Sequence, residues 1–337
     1  MSERPPDPGP LMALATSYWG AQALLTALDL GVFAHLAQGA ASAAQVAQAV
    51  GAQAHPMRLL LNALAGLELV RRDGDAYANS PAAAAFLTPG GPAYLGDALG
   101  YARDMYAAWG ALDRALREDA PVVPAASYLG EDAARTRRFV HGMHARAFGI
   151  GRALVALVDL SGRRRMLDIG GGPGTYSALF TQRYPGLHAQ VLELPAVAAL
   201  AGEILAAMGA SDRVSLIAGS YHDTEFPRDN DVVLISGVLH REREPAARAL
   251  IARAGASLAR GGLLVVSDVF TDAGGASPAF AALFGLNMLL SAPGGGVHAD
   301  ADVAAWISAA GLVDTAITPF PPPMPHRVIT ARRGQGA

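Results

Sequence analysis

Apolar residues recur at helical spacing through the N-terminal part of the chain. The pattern predicts helices over residues 11–36, 42–51 and 55–69. Residues 69–80 read as two short strands on either side of an Asp-Gly turn, which predicts a hairpin. Two helices followed by a hairpin are the outline of a winged helix.

The periodicity changes after residue 160. Apolar runs of strand length then alternate with helical segments, which predicts a doubly wound α/β sheet. The predicted strands are residues 165–169, 189–194, 214–218, 231–239, 263–269, 312–320 and 327–331.

These two patterns divide the chain into four parts. Residues 1–10 contain four prolines and are expected to form a disordered tail. Residues 11–100 are predicted to form the winged-helix-like domain, and residues 101–160 a helical linker. Residues 161–337 are predicted to form the α/β domain.

Charge and composition narrow the function. The net charge is −3 and the pI is about 6.3, which argues against a nucleic-acid partner because phosphate binding usually leaves a basic face. The winged-helix segment offers few basic groups, namely His55, Arg58, Arg71 and Arg72. We therefore interpret it as a subunit-contact domain, with a DNA-binding regulator as the alternative.

Other features of the composition exclude further classes. The absence of cysteine excludes disulfides and thiolate metal sites. The chain has no lysine either, so arginine supplies every basic side chain except histidine. Residues 9–28 lack charge but contain polar groups, and the apolar part of residues 273–299 is shorter than the ~20 residues that a membrane span needs. We expect no membrane association and a cytoplasmic protein.

A glycine-rich loop follows the first strand of the α/β domain in LDIGGGPGTYS. Gly170, Gly172 and Gly174 allow a tight turn and close approach of a ligand to the backbone. Asp168 precedes the loop, and Glu193 lies near the end of the next strand, where a carboxylate suits the two hydroxyls of a ribose. A dinucleotide fingerprint needs glycine one residue later, where this chain has threonine. The loop therefore predicts a nucleoside site, and a simple turn is the alternative.

A histidine follows the apolar run Val232–Leu239 in the stretch GVLHREREP. His240 at the end of a buried strand is a candidate proton carrier, because histidine titrates near neutral pH. The alternative is a histidine that merely ends a strand.

The chain resembles the plant-type small-molecule O-methyltransferases and their bacterial relatives, within the class I S-adenosylmethionine-dependent methyltransferases. LDIGGGPGTYS resembles the first motif of the class. VLELP and LISGVLH resemble the acidic motif and the strand that ends in the catalytic histidine of the family. SYWGAQALLTALDLGVFAHLAQG and YANSPAAAAFLTPG resemble its N-terminal dimerisation domain. The resemblance implies a Rossmann-like methyltransferase sheet and a homodimer formed through the N-terminal domain.

The resemblance also implies a cofactor, S-adenosylmethionine. Asp168, Gly170, Gly172 and Gly174 would surround its methionine part, and Glu193 would hold its ribose. The family usually brackets the adenine with an Asp-Met or Asp-Phe pair. Here Ser220 stands in place of that aspartate, and the neighbouring Tyr221 offers a ring for stacking.

The resemblance assigns His240 as the catalytic base, with Asp268 as its orienting carboxylate. A second carboxylate usually lies in the loop that corresponds to residues 294–302. Here Val297 or His298 occupies that position. The resemblance therefore does not imply the second carboxylate of the family's catalytic arrangement in this chain.

The sequence departs most clearly from the family after His240, where it reads Arg241-Glu242 in place of Asp-Trp. The run RERE is interpreted as a solvated segment before a helix. The sharper hypothesis is that Arg241 holds an anionic acceptor. A metal bound by His240 and His298 is a further possibility, but the aspartate expected beside the first histidine is absent, and no metal is predicted.

The acceptor pocket is expected between the helices of residues 101–148 and the ends of the strands. The candidates are Tyr101, Met105, Trp109, Phe139, Met143, Phe284 and Met288, with Arg241 and His298 as polar contacts. This apolar and aromatic set favours O-methylation of a small aromatic or enolic molecule of secondary metabolism. Methylation at carbon or nitrogen, including that of a keto-acid-like acceptor, and an enzyme that kept the cofactor for another task are the alternatives.

Overall fold

The computed structural model describes residues 6–91 and 93–335. The chain forms two compact units, of which the first ends at Arg103 and the second begins at Asp104. The helical segment of residues 101–160, predicted as a linker, falls almost entirely in the second unit.

The first unit is mostly helical and contains a small antiparallel sheet of order β1-β3-β2. Its core is formed by buried side chains of α3, α5 and β3, among them Phe33, Leu61 and Tyr77. Ser42 caps α4 in a reciprocal capping box with Gln45. The elements are α1 (Gly9–Thr16), α2 (Tyr18–Asp29), α3 (Val32–Leu36), β1 (Ala41–Ser42), α4 (Ala43–Ala49), α5 (Ala54–Gly66), β2 (Val70–Asp73), β3 (Ala76–Asn79), α6 (Pro81–Phe86) and α7 (Gly96–Trp109), which ends in the second unit. The predicted winged-helix arrangement is present.

The N-terminal tail was predicted to cover residues 1–10. Its first five residues lie outside the described residues, and α1 begins at Gly9, two residues before the predicted helix. Pro10 does not prevent this, because proline is tolerated in the first turn of a helix, where its missing N–H is not needed.

One stretch, Gly9–Asp29, is long and apolar enough to cross a membrane by length and composition. The structure divides it into α1 and α2. Only 11% of its most apolar window is buried, and Leu11, Met12, Leu14, Tyr18 and Trp19 are exposed.

The second unit contains a seven-stranded sheet of order β6-β5-β4-β7-β8-β10-β9. The first five strands in this order pair in parallel, and β10 pairs antiparallel with both β8 and β9. The elements are α8 (Leu112–Glu118), α9 (Ala133–Leu157), β4 (Arg165–Ile169), α10 (Thr175–Arg183), β5 (His188–Glu193), α11 (Pro195–Ala207), β6 (Val214–Ala218), β7 (Asn230–Ser236), α12 (Glu244–Ser257), β8 (Leu258–Val269), α13 (Ala279–Leu289), α14 (Asp300–Ala309), β9 (Leu312–Pro319) and β10 (His326–Arg333). The predicted doubly wound sheet is confirmed.

This topology determines where a ligand site can lie. The order of the sheet reverses between β4 and β7, since β5 and β6 lie on one side of β4 and the later strands on the other. Ligands of such sheets bind at the carboxyl ends of the strands, beside this switch point. Asp168, Glu193 and Asp268 all lie at the carboxyl ends of their strands.

The end of β7 differs from the prediction. The strand stops at Ser236, so His240 does not directly follow it but lies in a 3₁₀ turn, Leu239–Arg241. Gly237 has a φ of +68°, a conformation that favours glycine and turns the chain out of the strand. Val238 and Leu239 remain buried, which explains why the apolar run extends beyond the strand.

Candidate active site

The glycine loop brings its backbone close to the neighbouring elements. A Cβ added at Gly170 would lie 2.8 Å from Val238 Cγ2, and one at Gly174 would lie 3.1 Å from Leu205 Cδ2. Gly172 is different, because an added Cβ would meet no atom of the described residues within 4 Å, although its φ of +55° still favours glycine. The loop is therefore packed on two sides and open at Gly172.

Glu193 is tied to this loop. Its two carboxylate oxygens accept hydrogen bonds from the backbone N–H groups of Gly172 and Leu194, both at 2.8 Å. Burial raises the pKa of Glu193, whereas these backbone bonds and the nearby charge of Arg241 oppose the shift. The carboxylate is thus held at the open side of the loop.

Asp168 is fully buried, and one of its oxygens lacks a partner. Ser177 Oγ donates to Oδ2 at 2.7 Å, while Oδ1 has no hydrogen bond among the described residues. Burial raises the pKa of Asp168 to about 7, with the Ser177 bond opposing and the charge of Glu193 adding to the rise. An unsatisfied buried oxygen requires an explanation, and a bound ligand that donates to it is one.

These observations fit S-adenosylmethionine. The cofactor carries an ammonium group and ribose hydroxyls that can donate to carboxylate oxygens. The open space at Gly172, the orphaned Oδ1 of Asp168 and the carboxylate of Glu193 together present acceptors beside an accessible backbone.

His240 and Asp268 lie in direct contact. His240 Nδ1 is 2.6 Å from Asp268 Oδ1, and the backbone N–H groups of Val269 and His240 donate to Oδ1 at 2.8 Å and to Oδ2 at 3.4 Å. Burial alone would raise the pKa of Asp268. The charge of His240, the hydrogen bond from its ring and the Val269 N–H hold that pKa below its usual value.

The ionised Asp268 determines the tautomer of His240. An ionised carboxylate can only accept hydrogen bonds, so Nδ1 carries the hydrogen. In the neutral ring Nε2 then carries the lone pair, which is the state needed to accept a proton.

The turn that carries His240 is held by the loop before α14. The His298 ring nitrogen Nε2 lies 3.1 Å and 3.0 Å from the backbone oxygens of Leu239 and Glu242, and Gly296 N–H donates to the His240 carbonyl at 2.9 Å. His298, predicted to contact the acceptor, thus uses Nε2 on the backbone on either side of His240. The Nε2 atom of His298 therefore already has hydrogen-bond partners in the two carbonyl oxygens.

Three members of the RERE run have local partners. The exposed pairs of Arg243 and Glu244 agree with the interpretation of the run as a solvated segment before a helix, whereas the Glu242 side chain is only 12% exposed. The pairs are Glu242 with His222 at 3.2 Å, Arg243 with Asp119 at 2.7 Å and Glu244 with Arg248 at 3.1 Å.

Arg241, predicted to hold an anionic acceptor, contacts Tyr128. Its guanidinium carbon lies 5.9 Å from the ring centroid of Tyr128, and Nη2 is 3.4 Å from the Tyr128 hydroxyl. Its charge also acts on Glu193 and Tyr221. Arg241 therefore lies on the side of the predicted cofactor.

Ser220 and Tyr221 lie in the loop after β6, at the same edge of the sheet. Tyr221 Oη donates to Glu242 Oε1 at 2.5 Å, and a Cβ added at Gly170 would be 3.6 Å from the Tyr221 ring. Ser220 Oγ accepts from the backbone N–H of His222 at 3.2 Å. Arg253, which the sequence did not single out, donates to the carbonyls of Tyr221 and Thr224 at 2.6 Å and 2.7 Å and holds this loop.

The predicted acceptor residues lie on several elements. Trp109 Nε1 donates to Asn287 Oδ1 on α13 at 3.0 Å. Met288 is buried on α13, and Met143 is half-buried on α9. Phe139 packs on the α11 cluster instead. The contacts therefore point to α13 as the element that brings the candidate residues to the His240 turn.

The structure adds residues that the sequence did not reveal. His326, Tyr176 and Arg146 come from β10, α10 and α9, and their charges act on one another or on Asp268. Burial lowers the pKa of His326 to about 4, so its ring stays neutral at physiological pH. Only the antiparallel insertion of β10 beside β8 brings His326 to the site.

A doubly wound sheet, a glycine loop followed by an acidic residue, and a histidine–aspartate pair at the strand ends define a methyltransferase of the S-adenosylmethionine-dependent class. Comparison with known families makes the assignment more specific. The O-methyltransferase domain matches residues 113–313, and the O-methyltransferase dimerisation domain matches residues 12–89. The chain belongs to this O-methyltransferase family.

Individual relatives agree with this membership. The chain is 34% identical over 326 residues to 3-hydroxy-5-methyl-1-naphthoate 3-O-methyltransferase of Streptomyces sahachiroi, covering 95% of this chain and 93% of the relative. It is 32% identical over 323 residues to the tetracenomycin 8-O-methyltransferase TcmO of Streptomyces glaucescens, covering 92% and 93%. The solved structure of human N-acetylserotonin methyltransferase in complex with SAM matches with a TM-score of 0.89 and 26% identity, over 99% of both chains.

The predicted class of enzyme is therefore confirmed. The protein is an S-adenosylmethionine-dependent O-methyltransferase that acts on a small molecule, and it carries a dimerisation domain of its family. The roles of individual residues remain predictions.

Asp168→Asn is expected to raise the stability of the cofactor-free protein near neutral pH and to weaken cofactor binding. The raised pKa means that folded protein binds a proton more tightly than unfolded protein, so this carboxyl makes stability fall as pH rises from about 4 to about 7. The neutral asparagine removes this loss, and Tm of the cofactor-free variant should exceed that of the wild type by a growing margin up to pH 7. The Kd for S-adenosylmethionine should rise by about 10- to 100-fold.

Calorimetric melts at pH 5 and pH 8, together with cofactor titrations, measure both effects. Asp212→Asn, at an exposed position, is the matched control. A Tm difference that does not change between the two pH values would contradict the assigned protonation.

Proposed function

We propose that the enzyme methylates a hydroxyl oxygen on an aromatic acceptor, with His240 as general base and Asp268 as its positioning residue. The observation that carries this proposal is the 2.6 Å contact between His240 Nδ1 and the buried, ionised Asp268. The contact leaves Nε2 with a lone pair, while the half-buried His240 side chain is still 14% exposed. A base in this state can reach a ligand.

The chemistry asks little of the protein beyond alignment and removal of a proton. When bound, S-adenosylmethionine supplies a methyl group on a positively charged sulfur, which keeps the electron pair of the broken S–C bond. The acceptor hydroxyl transfers its proton to His240 Nε2, and its oxygen forms the new C–O bond. The charge of Asp268 stabilises the imidazolium that results.

The cofactor-binding residues are proposed to act as follows. Glu193 accepts from the ribose hydroxyls, and Asp168 Oδ1 accepts from the methionine part beside Gly170, Gly172 and Gly174. Tyr221 presents its ring to the adenine while its hydroxyl is held by Glu242. Ser220 borders the same position in the loop after β6.

Nitrogen is the second candidate for the methylated atom. The chain is 37% identical over 271 residues to the N,N-dimethyltransferase OxyT of Streptomyces rimosus, covering 78% of each chain. A similar scaffold in a relative therefore carries an N-methyltransferase name, which keeps an amine acceptor open.

Transfer of a carbon-13 methyl group to a panel of hydroxyarenes and arylamines tests the proposal. The expected product is an aryl methyl ether, identified by the chemical shift of the labelled methyl. Labelled N-methyl or C-methyl products only, with cofactor binding intact, would contradict the assignment of oxygen.

We further propose that the chain forms a homodimer through its first unit and acts in the cytoplasm without a nucleic-acid or membrane partner. The exposed apolar residues of α1 and α2 lie largely within the region matched by the dimerisation domain. In the hairpin of β2 and β3, Arg72 is already bonded to Gly74 and Asn62. Light scattering after gel filtration should give twice the chain mass without detergent, and a monomer would contradict the proposal.

A further inference from the structure

Arg146 is a half-buried cation in the middle of α9. Its guanidinium carbon lies 6.0 Å from the ring centroid of Phe284. Within residues 6–91 and 93–335, no carboxylate pairs with it and no hydrogen bond from it is found, whereas Arg137 on the same helix forms a two-pronged pair with Glu203. A half-buried guanidinium that pairs with no carboxylate among these residues is available to bind an anionic ligand.

The Phe284 ring also contacts the proposed base. The centroids of His240 and Phe284 are 5.0 Å apart, with the rings at 78° to each other. The Arg146 guanidinium carbon and the His240 ring centroid therefore both lie within 6.0 Å of the centroid of the same aromatic ring. Phe280 stacks on Phe284 with an angle of 9° between the rings and a centroid distance of 6.1 Å, which extends the aromatic surface on α13.

The charge of Arg146 acts on two side chains that the charge of Asp268 also affects. It opposes the rise that burial causes in the pKa of Tyr176, which lies at about 12, and it adds to the lowered pKa of His326. Asp268 acts on both of these side chains as well. Arg146 therefore lies in the same electrostatic surroundings as Asp268.

We propose that the acceptor is an aromatic hydroxy acid, whose hydroxyl meets His240, whose ring packs beside Phe284 and whose carboxylate is bound by Arg146. This inference rests on the proposed O-methylation and names the class of its substrate. Arginine binds a carboxylate through two parallel N–H groups. The chain contains no lysine, so the presence of arginine rather than lysine at position 146 does not itself indicate a carboxylate. The proposal therefore rests on where Arg146 lies.

The placement of Arg146 and His240 also limits the size of the acceptor. Both groups contact Phe284, which favours a hydroxyl and a carboxylate on one compact aromatic ring system. Arg241, which the sequence offered as the anion anchor, lies beside Tyr128 and acts on Glu193.

A matched pair of probes tests this inference. 3-Hydroxynaphthalene-1-carboxylate and 2-naphthol share the ring and the hydroxyl position and differ only in the carboxylate. Their Kd values are measured by titration into the complex of the full-length enzyme with S-adenosylhomocysteine. The wild type should bind the acid about 10- to 100-fold more tightly than the naphthol, the range for a charge-assisted pair.

The variants assign this preference to one side chain. Arg146→Gln should remove most of the preference, and Arg146→Lys should restore part of it, since lysine keeps the charge but not the two-pronged geometry. Arg152→Gln is the control, because Arg152 lies on the same helix over the ring of Phe148 at 4.6 Å and should leave the preference unchanged.

Three outcomes would overturn the inference. They are equal affinity of the wild type for the two probes, an equal loss for both probes in Arg146→Gln, and no detectable binding of the acid at millimolar concentration. Methyl transfer to neutral hydroxyarenes alone would leave the proposed O-methylation intact while rejecting the acid. Cofactor binding is measured separately. Its absence in the wild type would contradict the proposed function and would say nothing about the role of Arg146.

Discussion

Replacement of His240 by alanine should lower kcat by about 100- to 10,000-fold, the usual contribution of a general base. The variant loses the lone pair of Nε2, which the contact of Nδ1 with Asp268 leaves available for a proton. The residues assigned to the cofactor come from β4, β5 and the loop after β6, and Glu193, Asp168 and Tyr221 are hydrogen-bonded to other groups than the His240 ring. The Kd for S-adenosylmethionine should therefore change by less than about threefold. The loss of one hydrogen bond to a charged group would change it by more.

Turnover with a hydroxyarene acceptor and a cofactor titration on the same preparation measure these two quantities. His188→Ala is the matched control, since His188 is exposed at the opposite, amino-terminal end of β5. Turnover close to that of the wild type would show that His240 is not the base. A parallel loss of cofactor affinity would show that it acts in binding instead.

Asp268→Asn should lower kcat by about 100- to 10,000-fold, as expected when the orienting group of a catalytic histidine is lost. The asparagine amide can donate to Nδ1, which favours the tautomer with hydrogen on Nε2, and that nitrogen then has no lone pair for the acceptor proton. The variant also lacks the negative charge that stabilises the imidazolium. The KM for the acceptor should change far less than kcat, because Asp268 is buried and is proposed to act through His240.

The same variant has a signature in stability. The pKa of Asp268 is below its usual value in the folded protein, so its ionised form stabilises the fold above the unfolded pKa, and this stabilisation is lost as pH falls through the folded pKa. Thermal melts between pH 6 and pH 3 should therefore show a weaker acid dependence in Asp268→Asn than in the wild type. Asp314→Asn, at an exposed position of β9, is the control, and an unchanged kcat in Asp268→Asn would reject the positioning role.

Short apolar runs with clear ends are the elements that sequence patterns predict best. The bounds of β4 and β6 agree with the prediction to the residue, although β6 is a partly exposed edge strand, because arginine precedes each run and glycine follows it directly. The end of β7 was predicted three residues too late. Burial of Val238 and Leu239 in the following turn gives them the same apolar character as a strand.

The candidate site divides in a similar way. Residues in short motifs beside a strand end, such as Asp168, Glu193 and His240, were found because topology brings strand ends together. The pairing of Asp268 with His240 was anticipated from family resemblance, and the structure shows the contact. Arg146 and Phe284 lie far apart in sequence on two helices, and helical periodicity does not reveal which of several arginines on α9 turns toward α13.

The support around the His240 turn has a consequence for changing the substrate of this enzyme. The turn is fastened by His298 and Gly296 from the loop before α14, and by the contacts of Glu242 with the loop after β6. None of these fastenings comes from α9 or from the aromatic face of α13. Libraries that vary Met143, Arg146 and Phe280, and that keep Phe284 because its ring packs on His240, should therefore yield altered acceptor ranges while the base keeps its place.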